Sequence, residues 1–213
     1  MATNAARAAQ TKNKAGAGFP PPLKAKPGLR DFLAHKRYDG LQLAEQREAN
    51  PPSRPNVLKA HTVAEGRSGV RRIRIRNHQI LSDTGPDYAG YNLGPGSPEI
   101  VLGALSSCIT HITEIVASNR RIPLDYLRVD VRGEQDFRRG SPGFEDVPVE
   151  PHNIRFVVTV ESPADQGVID SLFAEVKAVC PILNLFQNPQ TVVGEVILNG
   201  ERPDEAQPRE IAD

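Results

Sequence analysis

The chain alternates between short stretches with strand periodicity and longer stretches with helix periodicity. In the strand-like stretches apolar and polar residues tend to alternate, as they do in half-buried β-strands. Strands are predicted at 57–64, 70–76, 126–137, 154–160 and 191–198, with one more short strand at 78–82. Gly66-Arg67-Ser68-Gly69 stands between the first two and predicts a hairpin turn.

The best-marked helix begins near Ser97. Ser97 is a suitable N-cap, Pro98 suits the first helical position, and Glu99 favours the positive end of the helix dipole. Residues 100–113 contain no Asp, Glu, Lys or Arg, so this helix, which is expected to stop near Asn119, should be buried on most sides. This uncharged segment of 14 residues is too short to cross a bilayer, and no run reaches 18 apolar residues, which argues against a membrane span.

A second helix is predicted after Ser162-Pro163-Ala164-Asp165, which repeats the helix-start signature. Its apolar residues recur at the helical spacing: Val168, Ile169, Leu172, Phe173 and Val176. It is expected to end near Cys180-Pro181 and to be followed by a short helical turn at 182–187. The order is then β-β-α-β-β-α-β. Strands that follow one another without a crossover helix predict antiparallel pairing and an α+β class.

The N-terminal quarter has a different composition. Residues 1–27 contain no acidic residue and include a Pro-Pro-Pro run, which indicates a disordered basic arm. They lack the apolar core of a secretory signal, and an organellar transit peptide is a weaker alternative because Arg and Ser are few. A broken apolar stripe over 28–48 predicts a loosely docked helix, and a proline-rich linker ends it. We therefore expect an extension at 1–56, a domain at 57–200 and a charged tail at 201–213.

The formal net charge of zero conceals two halves of opposite sign. Residues 1–80 carry 16 Lys and Arg against 5 Asp and Glu, whereas residues 81–213 carry 10 against 21. Such asymmetry occurs in proteins with a basic nucleic-acid arm, and also where two segments of one assembly attract each other. We favour the second interpretation, because the basic half lacks interleaved aromatic residues on which bases would stack.

Two cysteines are present, which is too few for a disulfide-rich scaffold or a four-thiolate zinc site. Cys108, inside the uncharged helix, would by itself be a small core residue. Cys180 precedes Pro181, where amide groups at the start of a helical turn would favour a thiolate. Their spacing leaves three interpretations open: inert thiols, a structural disulfide or a redox pair.

Two motifs add a resemblance. They are GYNLGPGSPEIVLGALSSC at 90–108 and AVCPILNLFQNPQTVV at 178–193. Together they resemble the OsmC/Ohr family of thiol-dependent hydroperoxide reductases, which has a Pro-Glu helix start, a small-residue helix with a cysteine, and a later Cys-Pro. The resemblance covers about residues 57–198. It implies an OsmC-like α+β fold with antiparallel sheets and two main helices packed between them in an intertwined homodimer.

The resemblance also implies a thiol peroxidase acting on organic hydroperoxides. By motif position Cys108 is the peroxidatic residue, which becomes a sulfenic acid, and Cys180 is the resolving residue, which condenses with it to a disulfide. An external dithiol, for example of the lipoyl type, would reduce that disulfide. No cofactor and no metal is expected, the expected location is cytoplasmic, and neither a membrane nor a nucleic acid is an expected partner.

A buried helix thiol needs a cation, because burial alone raises its pKa. The family supplies an arginine from an early turn between strands, and Arg67 in AEGRSGV matches that setting. Arg76 in IRNHQIL is the rival. Which of the two would serve Cys108 stays open at this point.

Glu99 matches the acidic residue that holds the arginine in the family. It precedes Cys108 by nine residues, whereas in the best-known members the separation is ten. At about 100° per residue, nine steps put it on the opposite helix face, so Glu99 could be only an N-terminal cap. Asp83 or Asp87, in the polar loop, would then be the alternative partners of the arginine.

His111 follows Cys108 by three residues and would share its face. We prefer a buried, hydrogen-bonded histidine to a base for the thiol. The remaining histidines have no ligand spacing, so no metal site is predicted. Two other functions stay open: a non-catalytic OsmC-like dimer that binds a small apolar ligand or partner, and a nucleic-acid-associated protein that uses the basic arm. The presence of both cysteines favours the peroxidase.

Overall fold

A computed structural model describes residues 28–66 and 68–200, together with Pro208. The expectations for residues 1–27, for Arg67 and for 201–207 and 209–213 lie outside the described residues. The helices and strands are α1 (Leu29–Ala49), β1 (Arg71–Ile75), β2 (His78–Ser82), α2 (Ser97–Arg120), β3 (Tyr126–Glu134), β4 (His152–Glu161), α3 (Gln166–Val179) and α4 (Pro181–Gln187).

Each sheet is an antiparallel pair of strands. β1 pairs with β2, and Ile73 lies opposite Ile80. β3 pairs with β4, where Val129 lies opposite Val158, and a register shift occurs between Arg132 and Glu134. The antiparallel pairing and the short strand at 78–82 are as the sequence predicts.

α2 is the centre of the fold, in contact with α1, α3, α4 and β3. In β3 and β4 every second residue is half-buried, and this face packs against the helical core. The core residues with the least exposure come from α2, from α3, from the connection after α2 and from the corner after α3: Leu105, Ile109, Val116, Ala117, Leu124, Leu172, Val176 and Cys180. β1 and β2 chiefly contact each other.

The bounds of α2 change two sequence expectations. Gly96 is the N-cap and Ser97 is the first helical residue, one position earlier than predicted. The helix has 24 residues, more than the 14 of its uncharged segment. By length and composition alone it could cross a membrane. The central helix of a folded domain has the same composition, and α2 packs against four elements of this chain.

Two predicted strands are wrong for the single chain. Of the strand at 57–64 only two isolated bridges form, between His61 and Arg74 and between Ala64 and Arg71. The segment 191–198 has no strand, and its Val196 is 95% exposed. Alternating apolar and polar residues allow a segment to bury one face as a strand. The strand forms only where the edge of another strand pairs with its backbone N–H and C=O groups. β3 likewise ends at Glu134 instead of continuing to 137.

α1 packs firmly against α2, which corrects the expectation of a loosely docked helix. Leu33 is buried, and the Ser118 hydroxyl donates to its carbonyl at 2.9 Å. Lys36 pairs with Glu114 at 3.2 Å. This pair joins the basic half of the chain to the acidic half, as does the ion pair between Arg30 and Asp125. Both pairs favour attraction within the chain as the reason for the charge asymmetry.

Candidate functional site

The structure brings the two cysteines together although 72 residues separate them. Cys108 lies in the middle of α2, and Cys180 lies at the corner between α3 and α4. Their Sγ atoms are 3.5 Å apart, within hydrogen-bonding distance for two sulfurs, and both cysteines are free. A disulfide requires about 2.0 Å between the sulfurs, so only a small movement separates this dithiol from a bond.

Pro181 explains why Cys180 stands at a corner. A proline disfavours the helical conformation of the residue before it, and Cys180 has φ −73° and ψ 111°, an extended conformation. α3 therefore ends at Val179, and α4 begins with Pro181, where the missing N–H costs nothing. The Cys-Pro motif thus interrupts the helix at the sulfur-bearing residue.

The two thiols differ in access to solvent. Cys180 is fully buried in the helical core, beside residues such as Val176 and Leu183. Cys108 is half-buried and packs at the border of that core. A molecule arriving from solvent can therefore reach Cys108 more easily than Cys180.

Burial raises the pKa of the Cys108 thiol above its ordinary value. The N–H of Ile182, in the first turn of α4, donates to it and acts in the opposite direction, whereas the adjacent Cys180 thiol raises the pKa further. The amide of Ile182 at the start of α4 thus acts on Cys108, whereas the sequence analysis considered such an effect only for Cys180. No cationic side chain from the described part of the chain enters this balance.

The two arginine candidates are not resolved by the geometry. Arg67 lies outside the described residues. Arg76 is exposed in the turn between β1 and β2, with φ 53°. The choice between them as the partner of Cys108 therefore stays a prediction.

Glu99 caps the helix that carries Cys108. Its Oε2 accepts a hydrogen bond of 2.7 Å from the N–H of Gly96, and its side chain is exposed. This is the N-terminal cap that the nine-residue separation allowed. A carboxylate here also suits the positive end of the helix dipole. Its role as partner of an arginine stays a prediction.

Asp83 organises the loop that leads into α2. Its Oδ2 accepts hydrogen bonds from the N–H groups of Tyr91 at 2.9 Å and Leu93 at 3.1 Å. The bond from Leu93 is the largest cause that lowers the pKa of Asp83, and the nearby charge of Arg71 acts in the same direction. Asp87, the other alternative to Glu99, is exposed in a short 3-10 turn at 86–88.

Sequence analysis missed Arg71, which ties the ends of β1 and β2 together. Its guanidinium donates to the carbonyl of Gly69, to the hydroxyl of Ser82 and to the carbonyl of Asp83, at 2.9, 3.1 and 3.2 Å. Arg71 and Asp83 border a groove of about 1100 Å³ between this loop, the start of α2 and the end of β3. Neither cysteine lines the groove. In the sequence Arg71 is one of several arginines in a strand of alternating apolar and polar residues. Nothing in that pattern distinguishes it from the neighbouring arginines.

His111 corrects another expectation, because its side chain is exposed instead of buried. Its Nδ1 lies 3.2 Å from Nζ of Lys36 and 3.9 Å from the carboxylate of Glu114. These contacts orient it towards α1. Among the described residues, no group of three or more His, Cys, Asp or Glu side chains could hold a metal ion.

This chain is similar to known proteins in part of its sequence and in its fold. Residues 90–194, which include both cysteines, match the family described as OsmC-like protein. The chain is similar to an OsmC-like protein from Mycoplasma pneumoniae, with 19% identity and a TM-score of 0.52 over 63% of this chain and 89% of that one. No curated protein matches the chain. The Mycoplasma likeness shows that the α+β fold is OsmC-like.

Two further solved structures are more distant. An organic hydroperoxide resistance protein OsmC from Legionella pneumophila is 12% identical, with a TM-score of 0.46 over 63% of this chain and 92% of that one. An organic hydroperoxide resistance protein of Bacillus subtilis is 17% identical, with a TM-score of 0.40 over 61% of this chain and 89% of that one.

Proposed function

We propose, from the match of residues 90–194 to the OsmC-like protein family, that the chain is a thiol-dependent peroxidase that reduces organic hydroperoxides to alcohols. The observation that carries the proposal is the dithiol: Cys108 and Cys180 are free, and their sulfurs are 3.5 Å apart. Cys108, the more accessible thiol, is the peroxidatic residue, and the buried Cys180 is the resolving residue.

The proposed cycle needs three steps. The Cys108 thiolate attacks the distal oxygen of the hydroperoxide, the O–O bond breaks, and the alkoxide takes a proton to leave as an alcohol, which leaves Cys108 as a sulfenic acid. Cys180 then attacks the sulfur of Cys108, an S–S bond forms, and the S–O bond breaks with loss of water. An external dithiol, such as a lipoyl-type group, exchanges with this disulfide and restores both thiols while it becomes oxidised itself.

The first step needs a thiolate, and burial raises the pKa of the Cys108 thiol and so favours its neutral form. We propose that an arginine corrects this, with Arg67 first and Arg76 second, because a cation within about 4–6 Å lowers a thiol pKa. Glu99 is the proposed partner of that arginine, which requires that its carboxylate give up the hydrogen bond from the N–H of Gly96.

We extend the proposal to a homodimer in which two chains complete each other. Two observations support it. β1 and β2 have few contacts with the helical core of their own chain. Large apolar side chains are also exposed in the loop before α2 and in the C-terminal segment, among them Tyr88, Leu93, Val192 and Val193. Such exposure is expected where a partner covers it.

The decisive experiment counts thiols after one equivalent of cumene hydroperoxide, in wild type and in Cys108→Ser and Cys180→Ser. Wild type should lose both thiols within seconds and form an intramolecular 108–180 disulfide. Cys108→Ser should be inert, and Cys180→Ser should stop at a single oxidised sulfur. If both thiols of folded wild type survive a long excess of hydroperoxide, the peroxidase proposal is wrong.

The pH dependence of alkylation tests the cation. In Cys180→Ser only Cys108 can react with iodoacetamide, so the rate follows the fraction of its thiolate. With the proposed arginine in place, the half-maximal rate should lie below the pH of about 8.5 at which a free thiol ionises. Arg67→Ala should move it upward by about one pH unit or more. Arg76→Ala is the matched comparison, and no movement in either variant would contradict the role of the arginine.

The raised pKa of Cys108 also favours a second candidate, a non-catalytic dimer that binds a small apolar ligand or partner. A neutral thiol at the border of an apolar core is a packing residue. This candidate predicts a half-maximal alkylation rate above the value for a free thiol, and survival of both thiols in the hydroperoxide experiment.

A further inference from the structure

The side chain of Asn184, in the first turn of α4, contacts three backbone carbonyls. Its Nδ2 lies 3.1 Å from the oxygen of Lys177, 3.3 Å from that of Ala178 and 2.9 Å from that of Cys180. All three belong to the end of α3 and the corner after it. The side-chain amide is half-buried at this corner.

Two of these carbonyls, those of Lys177 and Ala178 at the end of α3, need a donor for a local reason. The last carbonyls of a helix have no partner inside that helix, and here Pro181 has no N–H to offer. The NH₂ group of Asn184 supplies two hydrogens to this cluster. Its orientation follows from the surroundings, because an amide oxygen facing three carbonyl oxygens would be repelled.

The corner carbonyl receives two donors from the same residue. The backbone N–H of Asn184 also donates to the oxygen of Cys180, at 3.0 Å. Asn184 therefore binds the carbonyl of Cys180 through both its main chain and its side chain. The same side chain also contacts the carbonyls of Lys177 and Ala178 at the end of α3. The Sγ of Cys180 leaves this fixed corner and ends 3.5 Å from the Sγ of Cys108.

We infer that Asn184 is a positioning residue for the redox pair: its amide fixes the α3–α4 corner so that the sulfur of Cys180 stays within reach of Cys108. The geometric part needs only the dithiol, whereas its consequence for turnover rests on the proposed function. Disulfide geometry is narrow in distance and dihedral angle, so a freely turning corner spends less time in the reactive arrangement.

The consequence for turnover falls on the second chemical step. The attack of hydroperoxide on Cys108 does not use Cys180 as a reactant, so Asn184 can change its rate only through the pKa of Cys108, to which the Ile182 N–H and the Cys180 thiol contribute. The attack of Cys180 on the sulfenic acid should slow when the corner loosens. A longer-lived sulfenic acid has more time to react with a second hydroperoxide molecule. That molecule transfers one oxygen to the sulfur and leaves as an alcohol, and the product is an irreversible sulfinic acid.

The test compares Asn184→Asp, Asn184→Ala and Asn188→Ala in the full chain. Aspartate has the shape of asparagine but presents only acceptors when ionised. Asn188 is the matched control, because its Nδ2 also donates to a backbone carbonyl, that of Asn184, at 2.8 Å, yet it contacts neither cysteine. Thermal unfolding of each variant records any general loss of stability.

The first readout needs no hydroperoxide. In glutathione buffers the two thiols reduce one oxidised glutathione to two reduced ones while the 108–180 disulfide forms, and alkylation with mass spectrometry gives the equilibrium constant. We expect this constant to fall about tenfold or more in both Asn184 variants, since a lost hydrogen bond of ordinary strength corresponds to about a tenfold change. In Asn188→Ala it should stay within about twofold of wild type.

The second readout follows the reaction with cumene hydroperoxide by stopped flow. In the Asn184 variants the rate of disulfide formation should fall by a similar factor and by more than any change in the rate of sulfenic acid formation, and sulfinic acid should accumulate. If Cys108 resists hydroperoxide in every protein while the glutathione constant still falls, the peroxidase proposal fails and the inference stands. If the Asn184 variants match Asn188→Ala in the glutathione constant, the inference is overturned.

Discussion

The helical core around the cysteines and the segments at 57–64 and 191–198 differ in what completes them. The helical core, made by α2, α3 and α4, closes within one chain: its hydrogen bonds are local, and its apolar faces meet each other. The two segments have the alternation of strands, yet the first forms only two bridges and the second forms no strand.

The difference follows from where each element finds its hydrogen-bond partners. A helix satisfies its backbone within the same segment, four residues away. A strand satisfies its backbone on a neighbour, so the same sequence pattern has two outcomes according to whether an edge is available. The helical core can therefore form in the single chain, whereas the structure of the two segments depends on whether another strand is available to pair with them.

The largest expected effect is a difference between the two regions in how much a truncated apolar side chain lowers the free energy of unfolding. Leu172 is fully buried in α3. Leu172→Ala should therefore lower the free energy of unfolding by about 2–5 kcal/mol, because a cavity forms in a packed core. Val196→Ala removes a side chain that is 95% exposed and should cost less than about 0.5 kcal/mol in a single chain. Urea unfolding measures both.

The same pair of variants tests assembly when protein concentration is varied. If 191–198 becomes a strand on a second chain, Val196→Ala should be costly at high concentration and cheap at low concentration, because association stabilises the folded chain by mass action. A small cost at every concentration would contradict the burial of this segment in a homodimer.

A smaller effect concerns Asp83 and depends on pH. Its pKa in the folded protein is lowered, so the carboxylate contributes stability above its unfolded pKa of about 3.9 and loses it as pH falls through the folded pKa. Asp83→Asn should therefore be less stable than wild type at pH 7, and the difference should vanish once the pH falls below the lowered pKa of Asp83 in the folded protein. Urea unfolding across pH measures it, with the exposed Asp87→Asn as the control. A difference that persists at low pH would show that the lost charge is not its cause.

Much of the fold was accessible from periodicity and chain punctuation. Proline marked the start of α4, and the uncharged run marked α2 as the central helix. These signals are local, so one sequence suffices. The bounds of β3 and the missing strand at 191–198 were not accessible, because they depend on which edges lie nearby.

The candidate site divides in the same way. The two cysteines were found through their motifs, and the nine-residue separation correctly suggested that Glu99 caps its helix. The contact partner of His111 could not be predicted, because it comes from α1, which brings Lys36 beside it from 75 residues away. Asn184 had no signal of its own in the sequence. Its importance comes from three carbonyls that only the turn between two helices brings together.

The smallest expected effect concerns the contact of α1 with the helical core. The guanidinium of Arg37 donates to the carbonyl of Asn119 at 2.7 Å and lies 3.4 Å from that of Ser118, at the end of α2. A cation suits the negative end of a helix, so Arg37→Ala should lower the free energy of unfolding by about 0.5–1 kcal/mol. Arg47→Ala, at an exposed position in the last turn of α1, should change it by less than about 0.5 kcal/mol. Hydrogen exchange should show faster opening of α1 in the first variant alone. Equal effects in the two variants would mean that the charge of α1 as a whole, and not the contact of Arg37 with the end of α2, holds the extension in place.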